Sequence, residues 1–173
     1  MPTYYCTNTA SDLGGGADFS NKLLTTTSGA ANISVSIAVS ATETSYFFTE
    51  ANVPFNADWE TGTITVEVNV TTSNSNVQLK LSAARINSTG TVQSTSTETA
   101  FQAFTSTGVL NYTVPSMNWT EGSRTDRLRL NFIFNNLSGS MAQTAGIGVN
   151  TTNEEVVTVV TQSPTKASRR VVN

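Results

Sequence analysis

The run Ile64-Thr65-Val66-Glu67-Val68-Asn69-Val70 alternates branched aliphatic and polar side chains without a break. Successive side chains of a β-strand point to opposite faces, so this spacing predicts a strand with one buried face and one wet face. A slip of one residue would reverse every side chain. Ile64, Val66, Val68 and Val70 are therefore expected inside, with Thr65, Glu67 and Asn69 outside. Working outward, the same period recurs at Ile33, Val35, Ile37 and Val39, at Val77, Leu79, Leu81 and Ala83, and at Leu128, Leu130, Phe132 and Phe134. Further strands are expected near 45–49, 91–98, 108–114, 144–150 and 154–161. No segment offers a long helical stripe.

The connections favour antiparallel pairing. Thr72-Ser73-Asn74-Ser75 and Asn87-Ser88-Thr89-Gly90 read as hairpin loops, with Gly90 able to take a positive φ at the loop exit. Asn135-Asn136-Leu137-Ser138-Gly139-Ser140 reads as a third, longer loop. Parallel neighbours would need helical crossovers for which there is no room. The expected fold is all-β: an antiparallel β-sandwich of jelly-roll type, with extended N- and C-terminal arms. Residues 1–31 form the N-terminal arm, 32–161 the sandwich and 162–173 a basic C-terminal arm. Within the first arm, a short Tyr-bearing strand precedes a Gly14-Gly15-Gly16 hinge. Asp18–Leu24 is expected to form one helical turn with Phe19, Leu23 and Leu24 inward. The triple glycine lacks the Lys and the strand–loop–helix setting of a phosphate-binding loop.

The chain has 173 residues, enough to bury a sizeable core without disulfide or metal. Charged residues make up 12%, about half the usual share, and 30 Thr, 20 Ser and 17 Asn stand in their place. There is no His and one Cys. That removes the Ser-His-Asp and Cys-His nucleophile systems and nearly all zinc, haem and iron–sulfur sites, so no catalytic residue, metal or cofactor is expected. Cys6 reads as a packed residue, and a thiol without a partner suits synthesis in a reducing cytosol. Met1–Cys6 lacks the features of a signal peptide, and no apolar run reaches membrane-spanning length. Net charge is −3. Lys166, Arg169 and Arg170 give the tail +3 against −6 for the rest, a pattern unlike a nucleic-acid-binding body and one that marks the tail as a candidate contact arm.

Four groups of residues have the composition of a candidate site. Glu50, Asp58, Glu60 and Glu67 fall close together, as glycosidase carboxylates would, but Glu67 lies on a polar strand face and Asp58 and Glu60 flank Trp59 in a loop, which reads as solvated surface. Asp58, Glu60, Glu121 and Asp126 could donate oxygens to calcium, yet no Asp-x-Asp-x-Asp-Gly loop is present. Trp59 and Trp119, with Tyr46 and Tyr112, form a candidate glycan-stacking platform, with burial at the core edge as the competing reading. Each Trp opens a Trp-x-x-Gly element before a strongly alternating strand, a faint internal echo. Arg124, Arg127 and Arg129 are candidate partner contacts, since the planar guanidinium fork suits interface pairing, against a salt-bridged exposed strand as the plain reading.

The stretch Ala57-Asp58-Trp59-Glu60-Thr61-Gly62-Thr63-Ile64-Thr65-Val66 resembles the opening strand of many small virion proteins of tailed phages. Gly108–Val114 and Thr125–Leu130 are similar to later strands of the same proteins. The resemblance covers roughly residues 55–135 and is a pattern of strands and turns without a catalytic motif. It implies a head decoration, or cement, protein: a non-enzymatic β-sandwich or jelly roll on the capsid surface. Its implied partners are the major capsid protein and neighbouring copies of itself, commonly as a trimer, with no membrane and no specific nucleic acid. A similar pattern occurs in carbohydrate-binding jelly rolls, which keeps a glycan-binding module on a tail or fibre as the alternative.

Overall fold

The computed structural model describes residues 3–13, 22–25, 33–39, 42–49, 63–115, 126–139, 141–149 and 157–158. They form twelve strands and no helix: β1 (Thr3–Ala10), β2 (Lys22–Thr25), β3 (Ile33–Val39), β4 (Thr42–Thr49), β5 (Ile64–Thr72), β6 (Asn74–Ile86), β7 (Val92–Thr95), β8 (Gln102–Phe104), β9 (Gly108–Val114), β10 (Arg127–Asn136), β11 (Gln143–Val149) and β12 (Val157–Thr158). The expected all-β sandwich is what the chain adopts.

In the first sheet, β9 pairs one side of β5 over the full run from Ile64↔Val114 to Val70↔Gly108. The other side of β5 is shared by β11, near Val70 and Thr72, and by β12, at Thr65. Strand β3 flanks β11 and β1 flanks β12. The second sheet runs β1-β2-β4-β10-β6, and the far edge of β6 is shared by β7 and β8. Strand β1 belongs to both sheets, with Thr3 and Tyr4 paired to β12 and Tyr5, Cys6 and Ala10 paired to β2. The pairings are antiparallel except β2–β4, which is parallel. That parallel pair and the double membership of β1 depart from a regular jelly roll.

The core lies where the inward faces meet. Val66, Val68 and Val70 of β5 and Tyr112 and Val114 of β9 come from one sheet, and Leu79 and Leu81 of β6 and Leu130, Phe132 and Phe134 of β10 from the other, all in one buried cluster. Each such side chain contributes about 1.5–3 kcal/mol through burial. Phe104 of β8 meets Phe134 edge-on at 6.3 Å, the preferred arrangement for two ring quadrupoles. Tyr112 is buried, and its hydroxyl donates across the core to the Leu79 carbonyl at 3.1 Å, tying β9 to β6. Cys6 is fully buried in the same cluster, and desolvation holds its thiol well above the ordinary range.

Several expectations change on contact with the structure. Thr65 and Glu67 are half-buried as an outward face should be, but Asn69 is buried, because Gly148 of β11 presents no side chain to it and leaves room for the amide. Thr72–Ser75 is not a hairpin. Strands β5 and β6 are separated by Ser73 alone and lie in different sheets, so this link is a corner between layers. The loop after β10 makes the same crossing to β11. Asn87–Gly90 is the expected hairpin: Asn87 Oδ1 accepts from the N–H of Thr89 and Thr91, and Gly90 has φ 89°. Strand β2, Lys22–Thr25, takes in the end of the segment expected to be helical, Asp18–Leu24; Leu24 is inward as expected. Tyr4, Cys6 and Leu24, from the segment expected as an N-terminal arm, lie in the core cluster.

Strand β11 approaches β5 unusually closely. A Cβ at Gly146 would fall 2.6 Å from Thr71 Oγ1 and 2.8 Å from Thr72 Oγ1, whereas one at Gly148 would meet the Asn69 amide nitrogen at 3.1 Å. Gly146→Ala is expected to destabilise the fold by about 1–3 kcal/mol by overpacking, and Gly148→Ala by less, since an amide can swing aside. Urea denaturation midpoints compare the two.

Candidate functional site

Arg127 opens β10 opposite Ile86, with its side chain on the outward face of the second sheet. That face is covered at this end. Ser11–Leu13, just past β1, folds over it, and Leu13 packs on Ala84 and Ile86 and above the backbone of Gly90. The turn is shaped by the Ser11 hydroxyl, which accepts from the Leu13 N–H at 3.2 Å. Asp12 then closes on Arg127 with two parallel hydrogen bonds, Nη1 to Oδ2 at 3.0 Å and Nη2 to Oδ1 at 2.6 Å. This bidentate pairing is the strongest geometry open to a guanidinium and a carboxylate. Arg127 is 1% exposed, so its guanidinium is committed within the subunit. The Arg127 hydrogen bonds are the chief cause holding the Asp12 carboxyl below its usual range; partial burial opposes them.

Those of the other singled-out residues that are described do not assemble into one site. Arg129 is half-buried on the same outward face, opposite Ala84. Asp126 is buried and faces Arg85, with Nε 3.4 Å from Oδ2, so it serves an ion pair rather than a calcium shell. Among the described residues no three His, Cys, Asp or Glu side chains gather as metal ligands. Tyr112 belongs to the core and not to a platform. Arg124, Lys166, Arg169, Arg170, Trp59 and Trp119 lie outside the described residues, as do Glu50, Asp58, Glu60 and Glu121 and both Trp-x-x-Gly elements.

What the structure does assemble is polar and uncharged. Where the chain crosses between sheets, Asn74 Nδ2 donates to Gln143 Oε1 at 3.1 Å and to the Thr144 carbonyl at 3.0 Å. Asn136 Nδ2 donates to the Met141 carbonyl at 2.7 Å, and Asn136 Oδ1 accepts from the Ser138 N–H at 2.8 Å. This amide lattice holds the β10–β11 loop, on which Leu137 and Met141 stand 53% and 70% exposed. Along β6, the segment from Ser96 to Thr99 acts as a substitute strand. Ser96 N–H donates to the Ala83 carbonyl and Ser96 Oγ accepts from Ala83 N–H; Thr99 treats Leu81 in the same way. Lys80 pairs with Glu98 and sits 4.6 Å above the Phe101 ring.

No family model matches this chain, and no curated protein matches it. Among solved structures, the chain is similar to one from the structure of infectious bursal disease virus, Gx strain, with 14% sequence identity and a TM-score of 0.39. The match covers 79% of this chain and 34% of that one, so this chain spans about a third of its length.

The Asp12 clamp gives a pH signature. A carboxyl whose folded pKa is depressed stabilises the fold fully above its unfolded value, near 4, and loses that contribution as pH falls through the folded value. Asp12→Asn is expected to cost about 1–2 kcal/mol at neutral pH, discounted for the half-exposed carboxylate. The difference from the unsubstituted protein should shrink as pH drops below 4. Thermal melts at pH 7 and pH 3 test this, and an undiminished difference at pH 3 would assign the cost to lost packing.

Proposed function

We propose that this chain is a non-enzymatic structural protein of a tailed-phage particle, a head decoration or cement protein. It sits on the capsid surface, bridges neighbouring subunits of the major capsid protein and touches neighbouring copies of itself, as a trimer like the phage proteins that its strand pattern resembles. The observation that carries this reading is where the charge goes. Arg127 with Asp12, Arg85 with Asp126 and Lys80 with Glu98 close within the subunit. The outward face of β9 and β5 then presents Thr65, Asn111 and Thr113, with the half-buried Glu67 as its one charged residue. Hydroxyls and amides spread over flat strand faces suit many short hydrogen bonds to a neighbouring subunit, and a single half-buried carboxylate supplies little field to steer a charged substrate. A cementing role asks for that kind of added contact area against internal pressure.

Purified particles should carry the protein in stoichiometric copies on their outer surface. Capsids lacking it should rupture at lower temperature and regain resistance when the protein is added back. Removing residues 162–173, and with them Lys166, Arg169 and Arg170, should leave a folded sandwich that binds particles more weakly and with less salt sensitivity. Equal occupancy by the truncated chain at all salt concentrations refutes the contact-arm role. Absence from particles, together with a glycan-array signal abolished by Trp59→Ala or Trp119→Ala, would replace the proposal with a carbohydrate-binding module.

A further inference from the structure

The two sheets treat their edges differently. Between β7 and β8, the free groups of β6 are closed one by one by Ser96 and Thr99. Among the described residues, the first sheet ends at β3 and, on the far side of β5, at β9. Gln102 Nε2 donates to the Asn111 carbonyl at 2.8 Å; Gln102 lies on β8, outside the β5–β9 ladder, so a carbonyl that it reaches is one turned away from β5. In an antiparallel strand the N–H and C=O of one residue point to the same side, and sides alternate along the chain. Val109, Asn111 and Thr113 therefore direct their backbone groups away from β5, and all three are exposed. Among the described residues, Gln102 is the single side chain hydrogen-bonded to that side.

Natural edges are blunted by charge, proline, bulges or a cover. Gly108-Val109-Leu110-Asn111-Tyr112-Thr113-Val114 has no charge and no proline, and its pairing with β5 is in continuous register. We propose that β9 is a self-pairing edge: two copies of this chain join antiparallel through Gly108–Val114 about a two-fold axis at Asn111. The first sheet then runs on across the pair. A second copy fits because the edge is self-complementary. Asn111 faces Asn111, and Val109 faces Thr113 twice, a β-branched pairing favoured across strands. The nearest charge on the adjoining strand, Glu67, lies opposite Asn111. Its two copies would stand three strand spacings apart, about 14 Å, beyond the Debye length of about 8 Å at physiological salt. Gln102 must release the Asn111 carbonyl for pairing, so it acts as a guard on the edge. One strand pair buries less than the roughly 1,000 Å² of a stable interface, so the contact is concentration-dependent. The inference holds wherever the protein sits in a particle.

Sedimentation of the full chain from micromolar to millimolar concentration should show mass rising above the dilute value. Asn111→Pro removes an N–H that the β5 ladder does not use, so circular dichroism and melting should stay close to normal while association weakens about tenfold or more. Gln102→Ala should strengthen association about fivefold, the size of one neutral hydrogen bond. Asn111→Cys should cross-link to itself under mild oxidation, since directly paired residues have Cα atoms about 5.5 Å apart, within disulfide range. Thr107→Cys, in the preceding loop, should not, and buried Cys6 does not compete. A mass that does not change with concentration overturns the proposal, as does Asn111→Pro associating like the unsubstituted chain. No gain from Gln102→Ala, or Asn111→Cys cross-linking no faster than Thr107→Cys, overturns the register. If Asn111→Pro instead lowers particle binding without any self-association, the edge receives a different strand and the self-pairing assignment fails.

Discussion

The apolar contact between the two sheets is the interaction on which everything else rests. Val66, Val68 and Val70 from one layer meet Leu81, Leu130 and Phe132 from the other, and nothing covalent joins the layers beyond chain corners. The corners are short because the strands they link belong to opposite sheets. With only Ser73 between β5 and β6, the chain ends one inward-facing run and begins another in the facing layer. Strand β1 closes one side by lending its first residues to one sheet and the rest to the other. Tyr112 stitches β9 to β6 through its hydroxyl, placing a polar bond inside the core where the Leu79 carbonyl would otherwise lack this partner.

Much of this was legible wherever a strand has one buried face, because period two then appears in the sequence. Strands β5, β10 and the first half of β6 declared themselves, and Gly90 marked its turn. Legibility failed where both faces are covered or where the partner is distant. In Ala83-Ala84-Arg85-Ile86 the alternation breaks, because the inward Ala83 is followed by Ala84 and Ile86 buried on the outside beneath Leu13. Two adjacent apolar residues late in a strand were the available signal. Gly146 and Gly148 were another: glycine at alternate positions of a strand marks one face pressed against a neighbour. Nothing local tells β5 and β6 that they do not pair, since Ser73 reads equally as a tight turn and as a corner.

Arginine misled in an instructive way. Arg127 lies among polar neighbours on a strand face that alternation marks as exposed. The strap that buries it comes from Ser11–Leu13, more than a hundred residues away in sequence. A buried guanidinium is tolerable only with its fork filled, and Asp12 fills it bidentately. In a chain this poor in charge, the ion pairs work as fasteners: the strap to β10 and Lys80 to the segment beyond β7. Two candidates chosen by charge, Arg127 and Asp126, therefore led to internal ties.

The surplus of hydroxyls has a structural logic of its own. A strand edge exposes donors and acceptors alternately, and a Ser or Thr supplies both from one residue: the backbone N–H gives and the side-chain oxygen receives. Ser96 and Thr99, three residues apart, do this for Ala83 and Leu81 on β6 without forming a ladder strand. Asn and Gln do the equivalent at corners, where Asn136 satisfies a carbonyl and an N–H of the same loop. An all-β chain with few charges must manage its edges and crossings by such local bonds, because it lacks the lysines that usually guard them. The Thr, Ser and Asn content thus has a use inside the fold before any partner is considered. Among the described residues, the β9 edge carries one such cap, the Gln102 amide on the Asn111 carbonyl, where β6 carries paired ones from Ser96 and Thr99.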